Sequence, residues 1–235
     1  MDAYNPYLAP RNDLGSPSAA FAPAWGAERY APLGWRMALA AIAIPASAFF
    51  GLALDVTQMS VGNALQADSP DVVPALLVFF VAMAFVGSLV LGAIFFGLWV
   101  HRAARNLRAL GRSGMKFSPA GCIGWYFVPF ANLVRPFKAM SELWRASESD
   151  AEADGQAWVT KGTSTSMLGV WWGCWMVGNV ISNVSARMDD PTASGSVGLV
   201  GSALIAVAAV VCILLMRGVS ARQAAAAARL GVPLA

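Results

Sequence analysis

Apolar residues fall into four long runs separated by polar segments. Residues 35–54 carry a single charge, Arg36, and have the roughly 20-residue length needed to cross the hydrocarbon core of a bilayer. Residues 72–100 form a longer run, which must tilt or project beyond the membrane. Residues 166–184 and 196–216 complete the set. None alternates with the two-residue period of a strand, so the pattern predicts an all-α integral membrane protein with four transmembrane helices. Pro45 stands inside the first run, where a membrane helix tolerates it with a kink. In the second run, Ser88 and Gly92 have the four-residue spacing of a close helix contact. The third run holds Asn179, Ser182 and Asn183, three and four apart and so on one face, turned towards other helices. The last run leads into an alanine-rich stretch that extends its helix towards residue 230.

The segments between the runs differ in character. Residues 1–32 contain five prolines and no periodic apolar face, which predicts a flexible tail in which Tyr4, Tyr7, Phe21 and Trp25 are aromatic outliers. The first residues lack the basic start and apolar stretch of a secretory signal, so the first run is expected to direct insertion. Residues 33–235 form one membrane domain, with an outside loop at 55–71 and a polar platform at 101–164.

Within the platform, Arg102, Arg105, Arg108 and Arg112 recur at three, three and four on an extension of the second helix. Gly111 and Gly114 then break that helix, and Ser118 with Pro119 offers a cap and first turn for a new one. Ile123, Tyr126, Phe130, Leu133, Phe137, Met140 and Trp144 continue at steps of three and four, predicting one continuous buried face. The opposite face changes from apolar at Trp125 and Val128 to charged at Arg135, Lys138, Glu142 and Arg145. That gradient predicts an amphipathic, proline-kinked helix that dips into the membrane near 125–130 and re-emerges along its surface. Pro129 and Pro136 bend it, and Asn132 is expected to satisfy a carbonyl that the prolines free.

Charge then fixes the expected orientation. Charged residues are 12% of the chain, about half the share of a soluble domain, and hydrophobic ones 57%. Lys and Arg number three up to Arg36, nine between 101 and 161 and three after 216, against one in 185–194 and none in 55–71. By the positive-inside rule, both termini and the platform lie in the cytoplasm, as in a bacterial inner-membrane protein.

The series Trp99, Arg102, Asn106, Leu107, Leu110 and Gly111, then Phe117, Ser118 and Pro119, resembles a known family, as do the residues that follow. Those are Trp125, Phe127, Val128, Pro129, Asn132, Leu133, Arg135 and Pro136, then Glu142 to Ser147, with the pair Trp171 and Trp172. Together they look like the bacterial membrane family catalogued as domain of unknown function 4328. The likeness covers roughly residues 70–216, and its specific core is FVPxxNLxRP. It implies a bacterial integral membrane protein and carries no activity with it.

Several chemistries are absent from the pattern. His101 is the only histidine, so a bis-histidine haem, a paired-histidine zinc site or a histidine triad has no second member. Cys122, Cys174 and Cys212 are far apart and fit neither a disulfide framework nor a zinc spacing. No phosphate loop or dinucleotide fingerprint occurs, so no metal, cofactor or nucleic-acid partner is expected. With residue 55 assigned to a loop, the first, second and fourth runs hold no internal charge, which disfavours a coupled transporter.

Three readings remain. A noncatalytic binding or scaffold protein would use Arg102, Arg105, Asn106, Arg112, Lys116, Trp125, Asn132, Arg135, Lys138, Trp144 and Arg145 to hold a partner protein or anionic lipid. An oligomeric channel or transporter would line a small-solute path with Asn132, Asn179 and Asn183. A membrane-lipid enzyme would need Glu142, for which a same-helix ion pair with Lys138 or Arg145 is the simpler role.

Overall fold

Alanine, leucine and isoleucine offer no side-chain competitor for backbone hydrogen bonds, and the first helix, α1, runs unbroken through Pro45 over Gly34–Leu65. The computed structural model describes residues 29–65, 72–148 and 155–232. α2 spans Val72–Ala109, α3 Pro119–Gly124, α4 Arg135–Ala146, α5 Trp158–Lys161, α6 Ser166–Ser185 and α7 Pro191–Leu230. Every element among the described residues is helical. α1 packs between α2 and α7, and α7 between α1 and α6, giving a row in the order α2, α1, α7, α6. The gap between the C-terminal half of α2 and the N-terminal half of α6 is filled by α3, two single 3-10 turns at Trp125–Phe127 and Ala131–Leu133, and α4.

Local chemistry sets the helix ends. Ser118 accepts a hydrogen bond from the Gly121 amide, with Pro119 in the first turn of α3. Thr165 caps α6 through the Met167 amide, and Asp190 caps α7 through the Thr192 amide ahead of Pro191. α7 closes on Gly231, whose φ of 58° lies in the left-handed region.

α6 and α7 meet through small residues. A Cβ on Gly178 would lie 2.8 Å from the Gly201 carbonyl oxygen, so the two backbones approach to a distance that no larger residue allows. Three residues earlier in α7, Gly198 makes room for a side chain from α1. A Cβ there would sit 2.7 Å from Asp55 Oδ1 and 3.0 Å from Ser185 Oγ. Asp55 reaches across to accept a 2.5 Å hydrogen bond from Ser202.

Three helical stretches are long and apolar enough to cross a membrane: Gly34–Val61, Val72–Ala109 and Thr192–Leu230. α6 has 20 residues, but Trp171, Trp172, Trp175, Asn179 and Asn183 lower its mean hydropathy below theirs.

The structure corrects three sequence expectations. α1 does not end at 54 but carries Asp55 inside the helix as far as Leu65, because Ser202 and the glycines of α7 supply the carboxylate with a partner and space. Residues 29–32 are not part of a loose tail: Tyr30 is buried and both backbone groups of Ala31 bond to Asn106. The aromatics expected further upstream, and acids such as Asp68, Asp71 and Asp150, lie outside the described residues. The helix expected from 119 to 147 is broken in two. Val128, before Pro129, is extended (φ −93°, ψ 116°), and Phe130 has φ 60°, so the apolar series loses its common face. Phe130 is 86% exposed instead of buried, and its neighbour Phe127 is 79% exposed.

Candidate functional site

The C-terminal ends of α2 and α7 and the whole of α4 gather most of the basic residues at one end of the bundle. Their guanidinium and amide groups have divergent fates. Asn106 on α2 is fully buried. Its amide donates to the Ala31 carbonyl at 2.9 Å and to Gln223 Oε1 at 3.3 Å, and its oxygen accepts from the Ala31 amide at 3.1 Å. Gln223, on α7, donates in turn to the Ala103 carbonyl and to Ser147 Oγ. Four segments are therefore tied by one buried amide pair. Arg102 donates to the Arg29 carbonyl beside this clip. Arg112 is buried and donates to the Glu148 carbonyl, and burial lowers its pKa. Arg145 donates to the Gly162 and Val159 carbonyls, at 3.0 and 2.6 Å, holding the approach to α6. Trp144 is buried under the Arg222 guanidinium, 4.0 Å from its ring centre. Of the expected binding residues, Asn106, Arg112 and Trp144 thus face inward and serve the fold. Arg105 is half-buried.

Lys116, Arg135 and Lys138 are exposed, as is Arg108. Arg135 lies with its guanidinium 4.9 Å from the centre of the Trp125 ring. α4 keeps Ala139, Met140 and Leu143 in the core, which leaves Arg135 and Lys138 to solvent.

Glu142 does not use the same-helix ion pair expected of it. Its two carboxylate oxygens accept from the backbone amides of Lys116 (3.0 Å) and Phe117 (3.1 Å), clasping the loop that precedes α3. Burial raises its pKa, opposed by these two hydrogen bonds and by the Lys116 charge.

The broken segment between α3 and α4 enters the bundle. Tyr126 meets Phe96 of α2 edge-on at 5.9 Å and Trp172 of α6 at 6.4 Å, and Trp172 continues into Trp175, stacked at 4.9 Å. Trp172 Nε1 donates to the Leu133 carbonyl at 3.0 Å. The Val128, Pro129, Phe130 and Ala131 carbonyls accept from backbone amides, Val128 from Asn132 and Pro129 from Ala131. The task expected of Asn132 is therefore performed by Trp172, and the Asn132 side chain makes no hydrogen bond among the described residues. Trp172 lies six residues into α6, about 9 Å along its axis, which measures how far the segment reaches in.

Asn132 instead borders a groove of about 410 Å³ that runs along α6 past Trp175, Asn179, Asn183 and Arg187. Trp175, Asn179 and Asn183 stand at four-residue intervals along α6, and Arg187 follows in the turn after its end. Asn179 donates to the Trp175 carbonyl (2.7 Å) and Asn183 to the Asn179 carbonyl (2.8 Å), which turns both amide groups along their own helix. Leu133, Met176, Val180 and Val184 form the apolar remainder of the lining. The structure brings Asn132, Asn179 and Asn183 to one groove, and adds Arg187, which the sequence did not single out. Its place four residues after Asn183 was the available signal. Asp55 and Gln223 were also missed; the three-residue spacing of Gly195, Gly198 and Gly201 pointed to the first, and nothing pointed to the second.

No group of three or more metal-ligating side chains occurs among the described residues. The build is that of a helical membrane protein, with apolar helices of crossing length and an aromatic, irregular segment wedged between α2 and α6. The chain matches the family model described as Domain of unknown function (DUF4328) over residues 67–228, and it belongs to that family. No curated protein and no solved structure matches it.

Proposed function

We propose that the protein is a four-span bacterial inner-membrane protein whose cytoplasmic platform binds anionic lipid without catalysing a reaction. α6 serves as the fourth span: its 20 residues cover about 30 Å, and its polar ridge has a place beside α7 and the inserted segment. Both termini and α4 then face the cytoplasm, and segment 119–134 is re-entrant from that side. The observation that carries the reading is the pairing of exposed Phe127 and Phe130 with exposed Arg135 and Lys138. Aromatic rings of that exposure are suited to acyl chains, and the cations that follow them in sequence are suited to the headgroups above.

Reversing Arg135 and Lys138 to Glu tests this. At about 1 kcal/mol per basic residue, the double reversal weakens retention of anionic lipid by roughly 30-fold or more. Native mass spectrometry of protein in mixed anionic and zwitterionic nanodiscs reads it out. Equal retention by the folded variant would refute the platform.

A second reading is favoured by the groove. Asn132, left without an internal bond at the end of the re-entrant segment, joins Asn179 and Asn183 in a polar path for a solute.

A further inference from the structure

From Ser166 to Arg187 the axis of α6 and its extension covers about 32 Å, close to the full thickness of the hydrocarbon core. Along the outer part of that distance, polar groups succeed one another as Arg187, Asn183 and Asn179, one helical turn apart. The succession ends at Asn132, on the segment that enters from the opposite face. A guanidinium stands at the outer end and carboxamides follow it inward. The groove is open along its side, where Val180 and Val184 are exposed.

An enclosed pore suits a solute that must leave its water behind. An open polar groove on a lipid-facing helix suits a molecule that keeps an apolar part in the bilayer while its polar part moves. The guanidinium matches a phosphate, and the carboxamides offer hydrogen bonds at depths where lipid tails offer none. We propose that this groove passes phospholipid headgroups between the two leaflets, Arg187 receiving the phosphate at the outer end. The inference rests on the second reading above and specifies its cargo.

The Asn179 and Asn183 amides hydrogen-bond only within their own helix, so leucine at both positions removes the polar ridge without removing a bond between helices. The full chain, reconstituted in vesicles of phosphatidylcholine and phosphatidylglycerol containing a trace of NBD-labelled phosphatidylglycerol, is treated with dithionite, which bleaches only outward-facing label. Active protein exposes nearly all of the label, whereas empty vesicles expose only the outer-leaflet share. The Asn179→Leu, Asn183→Leu double variant slows exchange by about tenfold or more, the loss expected for two hydrogen-bonding groups. Arg187→Gln slows labelled phosphatidylglycerol more than labelled phosphatidylcholine.

A small sugar trapped in the same vesicles separates the possibilities. Lipid exchange with the sugar retained supports headgroup passage. Sugar release without lipid exchange overturns it and leaves a solute path standing, while neither process overturns both. Full exchange by the double variant overturns the inference. So does quantitative disulfide trapping between copies at Asn183→Cys in vesicles, which would show the groove covered by a second chain.

Discussion

Replacing Asn106 with alanine removes the side chain that binds both backbone groups of Ala31 at the start of the described chain. The side chain is fully buried and satisfies three groups: the Ala31 carbonyl, the Ala31 amide and Gln223 Oε1. Two of these groups belong to Ala31, and each buried polar group left without a partner costs about 1 kcal/mol at the low end of the usual range, so attachment of residues 29–33 weakens by about 2 kcal/mol. At 1.4 kcal/mol per factor of ten, that makes their opening roughly thirtyfold more frequent. The site reports on itself, because Arg29 is an exposed trypsin target followed by the buried Tyr30. Cleavage between them requires the clip to open. Mass spectrometry of the fragment beginning at Tyr30, timed in detergent under dilute trypsin, should show cleavage accelerating by that factor in Asn106→Ala. Asn106→Asp should be at least as fast, since a carboxylate has no proton to give to the two acceptors. Unchanged cleavage in both variants would refute the assignment of the clip.

Glu142→Ala leaves the Lys116 and Phe117 amides without acceptors and should cost about 2 kcal/mol, while Glu142→Gln keeps one acceptor and loses less; thermal unfolding in detergent ranks them. Because burial raises the Glu142 pKa, the folded state holds its proton more tightly than the unfolded chain does. Its stabilising contribution is full below the ordinary value of 4.5 and fades as pH rises through the higher folded value. Glu142→Gln removes this part of the pH dependence, and identical pH profiles would argue against it. Trp172→Phe keeps the ring but orphans the Leu133 carbonyl, which should raise hydrogen exchange across 128–134 while leaving α6 protected. Gly201→Leu forces α6 from α7 at their closest approach and should abolish a monodisperse fold, whereas Gly124→Ala, with open space around it, should be tolerated.

The regular parts of this fold were legible because membrane helices announce themselves by length and apolarity. The α7 helix, the cap at Ser118 and the basic extension of α2 all follow from patterns local to the chain. The break at 128–134 was harder, because the apolar spacing from Ile123 to Trp144 imitates a helix while Pro129 forces its neighbour into an extended conformation. Periodicity was given more weight than a steric rule that acts on single residues. Asp55 looked like a loop residue because its partners, Ser202 and the gap at Gly198, are nearly 150 positions away. The fate of Asn106 depended likewise on Gln223 and Ala31, which no local pattern connects. Asn179 and Asn183 stand out as polar groups inside an apolar run and Asn132 as the residue between two prolines, and the structure gathers them because the segment carrying Asn132 lies against α6.

α7 is a single helix of 40 residues, about 60 Å from end to end. Near its start it holds the Asp55 crossing and the glycine contact with α6, and near its finish it carries Gln223 into the clip with Asn106. A straight rod fixed at two distant points transmits rotation as well as tilt. Turning it by a fraction of a residue at the glycine end would drag the Gln223 amide out of register with Asn106 and Ser147. α6, which walls the groove, and the anchor of residues 29–33 are therefore both fixed to this one shaft, at opposite ends of it.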